Sequence, residues 1–392
     1  MRPLDVYEVL STLEGAWALV YYHAATRRIY FARDYFGRRS LLCSDGGGIF
    51  ELSSVAEYAA DDDSPWTEVP SDGIYSIDLS NGGGVKLECT PWVSFTDEQA
   101  VKCNEAFREK FNVQHTSADV SPPLRTPMQR RYHSGAKRPL SLPRLQPDGA
   151  ATPFETLEKY LEDGRPVCEE FVEKLKRSVQ KRLTHFCGRV RSSATSASVA
   201  VLFSGGIDCT VIALLADLYV PAGEPIDLLN VAFDSGRKPG EFGVPDRLTG
   251  LNSVEELRAL CPDRPWNFVA VNVRLEELRE LRRERIAHLI YPKESVLDDT
   301  IACALWFAAR GRGQLQTGGG EYLSVAKLLL CGMGADEQLG GYSRHRGVYE
   351  AAGKDVGRIV EEIEMEVERI STRNLGRDDR CACAAVESVR DY

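Results

Sequence analysis

Two glycine-rich turns, each followed by acidic residues, are the parts of this 392-residue chain best suited to chemistry. The first is Leu202-Phe203-Ser204-Gly205-Gly206-Ile207-Asp208. Val199 to Phe203 is short, apolar and β-prone, whereas Val211, Leu214, Leu215 and Leu218 recur at helical spacing, which predicts that the glycines sit at a strand-to-helix turn. Lacking Cβ, Gly205 and Gly206 let backbone N–H groups approach an anion, and the helix behind them points its positive end at the same place. Ser204 adds a hydroxyl donor, and Asp208 could hold a Mg²⁺ on the phosphates. The chemistry implied is the cradling of a pyrophosphate, although a glycine turn that merely starts a helix has the same local pattern. The second turn is Cys331-Gly332-Met333-Gly334-Ala335-Asp336-Glu337, followed by Gly340-Gly341-Tyr342. Two acids on a flexible loop again suit Mg²⁺ and pyrophosphate, while Asp336 or Glu337 alone would read as an exposed loop acid.

The elements that must position these turns alternate along the chain. Val167, Phe171, Leu175, Val179 and Leu183 lie four apart on one helical face and lead into the strand before Ser204. Leu228 to Phe233 reads as a buried strand, Ser253 to Leu260 as a short helix and Asn267 to Val273 as another strand. Leu275 to Ile290 is a charged amphipathic helix, Leu297 to Ala309 an apolar one, and Lys327 to Leu330 a last strand. Such alternation implies parallel strands with right-handed crossovers and a ligand at their carboxyl ends. Upstream, Trp17 to Tyr22, Arg28 to Ala32, Gly48 to Leu52, Gly73 to Asp78 and Gly84 to Leu87 are short β-prone runs separated by turns. Asp61-Asp62-Asp63 is most simply a solvated loop, with a metal site as the alternative that three acids in a row leave open. From Ser117 to Pro153 the composition shifts to Pro, Arg, Ser and Gln, which suits a disordered linker or a surface insertion; its basic residues could dock on an acidic face or a polyanion, but a soluble tether is the simpler expectation. The divisions expected are 1–100, 101–160 and 161–392.

Composition narrows the partners. A formal charge of −10 repels polyanions at long range and argues against nucleic acid, and 43% hydrophobic residues suffice for buried cores. No window approaches an uninterrupted membrane span, and no apolar core follows Met1-Arg2 as in a secretory signal, so a cytoplasmic protein acting on small molecules is expected. The 11 cysteines are scattered and odd in number, which favours reduced thiols; Cys381 and Cys383 are too close for the usual zinc spacing.

The first turn resembles the SGGxDS signature of the PP-loop ATP pyrophosphatases, with Cys209 where a second serine usually stands. The second resembles the SGEGSDE and GGY motifs of asparagine synthetases. Ile226 to Phe233, Val244-Pro245-Asp246-Arg247, Val296-Leu297-Asp298-Asp299, Tyr342 to Arg346 and Arg373 to Arg380 are similar to the eukaryotic branch of asparagine synthetase domain-containing proteins. Leu13 to Val20, Tyr30 to Arg38 and Phe50 to Ser54 resemble class II glutamine amidotransferase segments. The fold so implied is α/β: a parallel-sheet PP-loop domain, adenine nucleotide α-hydrolase-like, preceded by a truncated β-rich Ntn-type amidotransferase domain.

By this resemblance the chain would use ATP, Mg²⁺, aspartate and ammonia or glutamine. Aspartate would attack the α-phosphate, pyrophosphate would leave, and ammonia would displace AMP. Leu202 and Phe233 would face the adenine. Ser204, Gly205, Gly206, Asp208, Cys331 and Gly332 would hold the pyrophosphate, Asp208 and Asp336 the metal, and Asp298 and Glu337 the substrate. Met333 replaces the family's glutamate and cannot accept a proton from ammonia. The family's amino-terminal cysteine nucleophile has no counterpart at Met1-Arg2, and Cys43 reads as a small packed residue. The front of the amidotransferase domain and the stretch beyond Arg380 are expected to be truncated. A noncatalytic ATP-binding scaffold is the competing expectation.

Overall fold

The structure, a computed structural model, describes residues 3–46, 48–58, 66–80, 85–92, 104–115, 153–187, 196–234, 236, 240–370 and 375–388. The expectations for Asp61-Asp62-Asp63 and for most of the basic tether fall outside these residues. The first half is built from helix α1 (Pro3–Ser11), strands β1 (Ala18–His23), β2 (Arg28–Arg33), β3 (Leu42–Gly46), β4 (Ile49–Ser53), β5 (Thr67–Glu68), β6 (Gly73–Asp78) and β7 (Leu87–Pro91), helix α2 (Glu105–Lys110) and strand β8 (Gln114–His115). Among the described residues they form a five-stranded sheet in the order β1-β2-β6-β7-β8 and a three-stranded sheet in the order β4-β3-β5. Alternation assigns the faces. Tyr30, Ala32 and Ile74 pack under α1 with Val6, Tyr7 and Leu10, while Phe31, Tyr75 and Ile77 turn the other way, onto Cys43, Phe107 and Phe111. Cys43 is fully buried there, and burial pushes its thiol up to about 12.

The second half begins with helix α3 (Pro153–Cys187) and continues through β9 (Val199–Leu202), α4 (Ile207–Asp217), β10 (Ile226–Phe233), α5 (Pro245–Leu260), β11 (Trp266–Val273) and α6 (Leu275–Leu281). A π turn (Arg282–Ile286), α7 (Ala287–Ile290), α8 (Val296–Arg310), β12 (Arg312–Leu315), β13 (Glu321–Leu323) and β14 (Leu328–Leu330) follow. The chain then runs through α9 (Ala335–Leu339), α10 (Ser343–Ala351), α11 (Val356–Ile370) and α12 (Leu375–Ser388). Six strands form one sheet in the order β13-β12-β11-β10-β9-β14. Helices cover both faces, so the central strands are apolar on both sides. Val199, Val201 and Phe203 face α4 and α5 with Leu183, Ala213, Val254 and Leu257, whereas Ala200, Leu229 and Val269 face α8, with Ala302, Phe307 and Cys381.

Several expectations need correction. The alternation implied an all-parallel sheet, but β12 and β13 are antiparallel, joined by a turn through Gly318-Gly319-Gly320 that no crossover helix could replace. The helix expected from Ser253 begins at Pro245, whose ring suits the first helical position, with Asp246 favourable to the dipole beside it. The stripe from Val167 to Leu183 is covered only at its carboxyl end: Val179 and Leu183 are buried while Val167 is 72% exposed. The strand expected at Gly84 to Leu87 instead spans Leu87–Pro91. Strand β3 lacked an apolar alternation, because only its first residues face the core.

The two halves meet through polar and aromatic contacts. The Tyr58 N–H donates to His288 Nδ1 at 3.0 Å and the Trp66 N–H to the Tyr291 hydroxyl at 3.0 Å, beside a small cluster of Leu42, Ala56 and Tyr291. Among the described residues no helix is long and apolar enough to cross a membrane.

Behind the sheet, Arg264 closes the loop between α4 and β10. Its guanidinium donates to Asp217 Oδ1 at 2.6 Å and to the carbonyls of Asp217, Val220, Pro221 and Glu224. Truncation deprives five acceptors of a donor, and the bonds to the Val220 and Glu224 carbonyls lie in the interior, where a polar group left without a partner costs about 1–3 kcal/mol. Arg264→Ala is expected to lose on the order of 3 kcal/mol in denaturant unfolding, against less than about 0.5 kcal/mol for the surface change Arg258→Ala.

Candidate functional site

Strand β9 lies between β10 and β14 and runs parallel to both, with Val199 opposite Ile226 and Leu328. The loops that leave β9 and β14 therefore emerge side by side. A Cβ placed on Gly332 would lie 2.8 Å from the Asp208 Cβ, so the second loop rests directly on the first turn of α4. Gly334 adopts φ +90°, which turns the chain back into α9 and brings Asp336 to the same edge.

The first loop is held from behind by α5. Gly205 has φ +86°, and a Cβ there would come within 2.5 Å of the Gly250 Cα. Gly250 is equally constrained, its own Cβ position lying 2.6 Å from Asn230 Nδ2. Ser253 donates its hydroxyl to the Gly205 carbonyl at 2.7 Å, and Asn230 donates to the Phe203 carbonyl at 2.8 Å. These bonds fix one side of the loop and leave Ser204 and Gly206 exposed at the head of α4. Cys209 is buried, and its thiol donates to the Gly206 carbonyl at 3.1 Å, so it braces the turn from inside.

Leu202 and Phe233 end neighbouring strands, half-buried, with the Phe233 ring edge-on to Phe307 at 5.9 Å. Burial raises the pKa of Asp208, and the nearby carboxylate of Asp336 raises it further. The two acids thus share one electrostatic neighbourhood with no cation between them among the described residues. Glu337 is buried and accepts the Tyr342 hydroxyl at 2.7 Å, which ties α9 to the start of α10. Met333 is exposed on the second loop.

Asp298 belongs to a second group, with Arg377 and Asp378. One oxygen accepts Arg377 Nη1 at 2.5 Å, and the other accepts the hydroxyl of Ser295, which caps α8. Arg377 also donates through Nε and Nη2 to Asp378 Oδ1, at 2.8 and 2.6 Å. The other Asp378 oxygen is buried without a partner among the described residues. Burial pushes the Asp378 carboxyl up to about 6, against the pull of Arg377, with Asp298 adding to the rise. Asp378 in turn raises the thiol pKa of Cys331, after burial, which places this carboxylate near the second loop. Arg377 and Asp378 carried no role in the sequence, because their pairing depends on how α12 packs against α8.

The arrangement offers backbone donors at a helix head, two adjoining carboxylates without a counter-charge, and a second acidic group organised by one arginine. Among the described residues no three His, Cys, Asp or Glu side chains converge as a protein-only metal site does. A magnesium ion held by one or two carboxylates and by ligand phosphates asks for fewer protein ligands, and Asp208 with Asp336 fits that demand.

Comparison with known proteins bears on this geometry. No family model matches the chain. The sequence is 37% identical over 435 residues to Asparagine synthetase domain-containing protein 1 of Mus musculus, covering 96% of this chain and 68% of that protein. The protein of the same name from Bos taurus is 40% identical over 447 residues, and that from Gallus gallus 39% over 446. These alignments cover 96% of this chain and 68% and 69% of the two relatives.

Two outcomes are expected. Gly205→Ala forces Thr249 and Gly250 away from the loop, so it is expected to lose on the order of 1–3 kcal/mol in denaturant unfolding, while the fold persists by circular dichroism. The native state holds a proton on Asp378 more tightly than the unfolded chain, so this group favours folding at low pH and that contribution is lost as pH rises through about 6. Asp378→Asn removes the loss. It should be more stable than the parent by on the order of 1 kcal/mol at pH 7.5, with the difference vanishing near pH 4 in thermal melts.

Proposed function

From the premise that this chain belongs to the family of asparagine synthetase domain-containing proteins, we propose that it is an ATP-dependent amide-forming enzyme that activates aspartate through a β-aspartyl-AMP intermediate. The observation that carries this reading is the contact of Gly332 with Asp208, which brings two glycine loops and the carboxylates of Asp208 and Asp336 to one sheet edge. The six-stranded sheet then serves as a PP-loop domain of adenine nucleotide α-hydrolase-like type. The amino-terminal sheets serve as an amidotransferase-type domain of Ntn architecture.

In this mechanism the Ser204 hydroxyl and the backbone N–H groups of Gly205 and Gly206 at the head of α4 receive the β- and γ-phosphates. Leu202 and Phe233 flank the adenine at the ends of β9 and β10. Cys331 and Gly332 close over the phosphates from the other side. Asp208 and Asp336 would hold a magnesium ion, which would supply positive charge to offset that of the departing pyrophosphate. The side-chain carboxylate of aspartate attacks the α-phosphorus, the bond to the bridging oxygen breaks, and pyrophosphate leaves; ammonia then attacks the acyl carbon and expels AMP. Positioning and electrostatics supply the acceleration, since no covalent residue is needed. Asp298, held by Arg377, and Glu337, held by Tyr342, border the acceptor end. Such a site works in the cytoplasm on small molecules and calls for neither nucleic acid nor membrane.

A second reading, a noncatalytic ATP-binding scaffold, is favoured by two particulars. Met333 offers no proton acceptor on the second loop, and the Cys209 thiol, a weak donor, is spent on the Gly206 carbonyl. Pyrophosphate–ATP exchange separates the two. With aspartate and Mg²⁺ the parent protein is expected to exchange label into ATP, and Asp208→Ala to lose at least about 100-fold of that rate. Tight ATP binding without exchange establishes the scaffold; an unchanged ATP affinity in Asp208→Ala removes the metal from the place given to it.

A further inference from the structure

Residues 377–380 divide their side chains between the two halves of the molecule. Arg377 and Asp378 turn to Asp298 and the second loop. Asp379 turns to the amino-terminal half, and Arg380 bridges that half and the Leu289 and Ile290 carbonyls of α7. The Ser40 N–H donates to Asp379 Oδ2 at 3.0 Å, and Arg39 pairs with the other oxygen of that carboxylate. Arg380 is 2% exposed and donates to the Leu289 carbonyl at 2.6 Å, to the Ser40 hydroxyl at 2.8 Å and to Glu68 Oε1 at 3.1 Å. Glu68, at the end of β5, also faces Arg33 at 3.8 Å and Lys293 at 3.5 Å. Gly376 makes room for this cluster, because a Cβ there would lie 2.8 Å from Arg33 Nη2 and 2.9 Å from Glu68 Oε1.

A buried ionic interface is a poor source of net stability, since desolvation consumes most of the attraction. What it does supply is a fixed geometry. Arg380 lies one helical turn beyond Arg377, so the depth to which Glu68 and Ser40 draw Arg380 sets where Arg377 stands between Asp298 and Asp378. We infer that Glu68 and Ser40 are positioning residues, through which the amino-terminal sheets hold the first turn of α12 and so place the Asp298–Arg377–Asp378 group at the acceptor end of the site. The amino-terminal half then serves the synthetase half as a template, independently of any glutamine chemistry of its own. This rests on the amidation reading for the purpose of the acidic group, and not for its location.

The test compares the full-length parent with Glu68→Gln, which keeps an acceptor and removes the charge. Hydrogen exchange without nucleotide is expected to quicken about tenfold in residues 375–383 and 296–299, with the strands at 199–202 and 226–233 unchanged. Equal rates in 375–383, or a uniform rise across the chain, overturn the inference. Arg39→Ala, at a half-exposed partner of Asp379, provides the same comparison with a smaller rise of about threefold if Glu68→Gln does not fold. Where the parent exchanges pyrophosphate, Glu68→Gln should also raise the KM for aspartate about tenfold with the Kd for ATP within about twofold. An unshifted KM counts against the inference. Absence of exchange in the parent overturns amidation alone, and the hydrogen-exchange comparison still decides this point.

Discussion

Every distance in the candidate site descends from the parallel pairing of β9 with β10 on one side and β14 on the other. Parallel strands deliver their following loops to a common edge, and here that rule brings together segments far apart in the chain. The spacing is then tightened to contact by absent side chains. Gly205 admits the backbone of α5, Gly332 admits Asp208, and Gly250 admits Asn230. A methyl group at any of these points would separate elements that must touch, so the site is specified as much by what the residues lack as by what they carry.

Charge is arranged on that frame with unequal compensation. At the loop edge burial and the Asp336 carboxylate both disfavour the charged form of Asp208, and among the described residues no cation pairs with it, a cost that is tolerable where a ligand brings positive charge. At the junction of the halves the opposite holds. Burial works against the Glu68 carboxylate, yet Arg33, Lys293 and Arg380 outweigh it and hold its pKa below the usual range. The Asp298–Arg377–Asp378 group stands between these extremes, linked to one by the second loop and to the other by a turn of helix.

How much of this could be read from the residues follows from the range of the constraint involved. Local dihedral demands are visible, which is why Ser204-Gly205-Gly206 marked a strand-to-helix turn and Gly332 to Gly334 a loop after a strand. Two-sided apolar runs such as Leu228 to Phe233 marked the buried strands. The polar strand Arg312–Leu315 has no such run, and β13 is too short to show alternation, so the antiparallel end of the sheet was not legible. The partners of Asp298 were hidden for a different reason. Arg377 reaches it only after α12 has docked on α8, and no spacing along the chain encodes that. The same holds for Asn230 and Ser253, whose bonds to the first loop arise from neighbours in space.

The hairpin at the far end of the sheet carries its own consequence. Asp227, wholly buried near the start of β10, accepts from Asn267 at 2.9 Å, from the Tyr322 hydroxyl at 2.9 and 3.1 Å and from Ser324 at 2.5 Å. Tyr322 and Ser324 are two residues apart, so both point to one face, and a slip of β13 by a single residue would withdraw both hydroxyls at once. The carboxylate thereby acts as a registration pin: the outermost strand has one admissible alignment, and the ribbon ends in a fixed border.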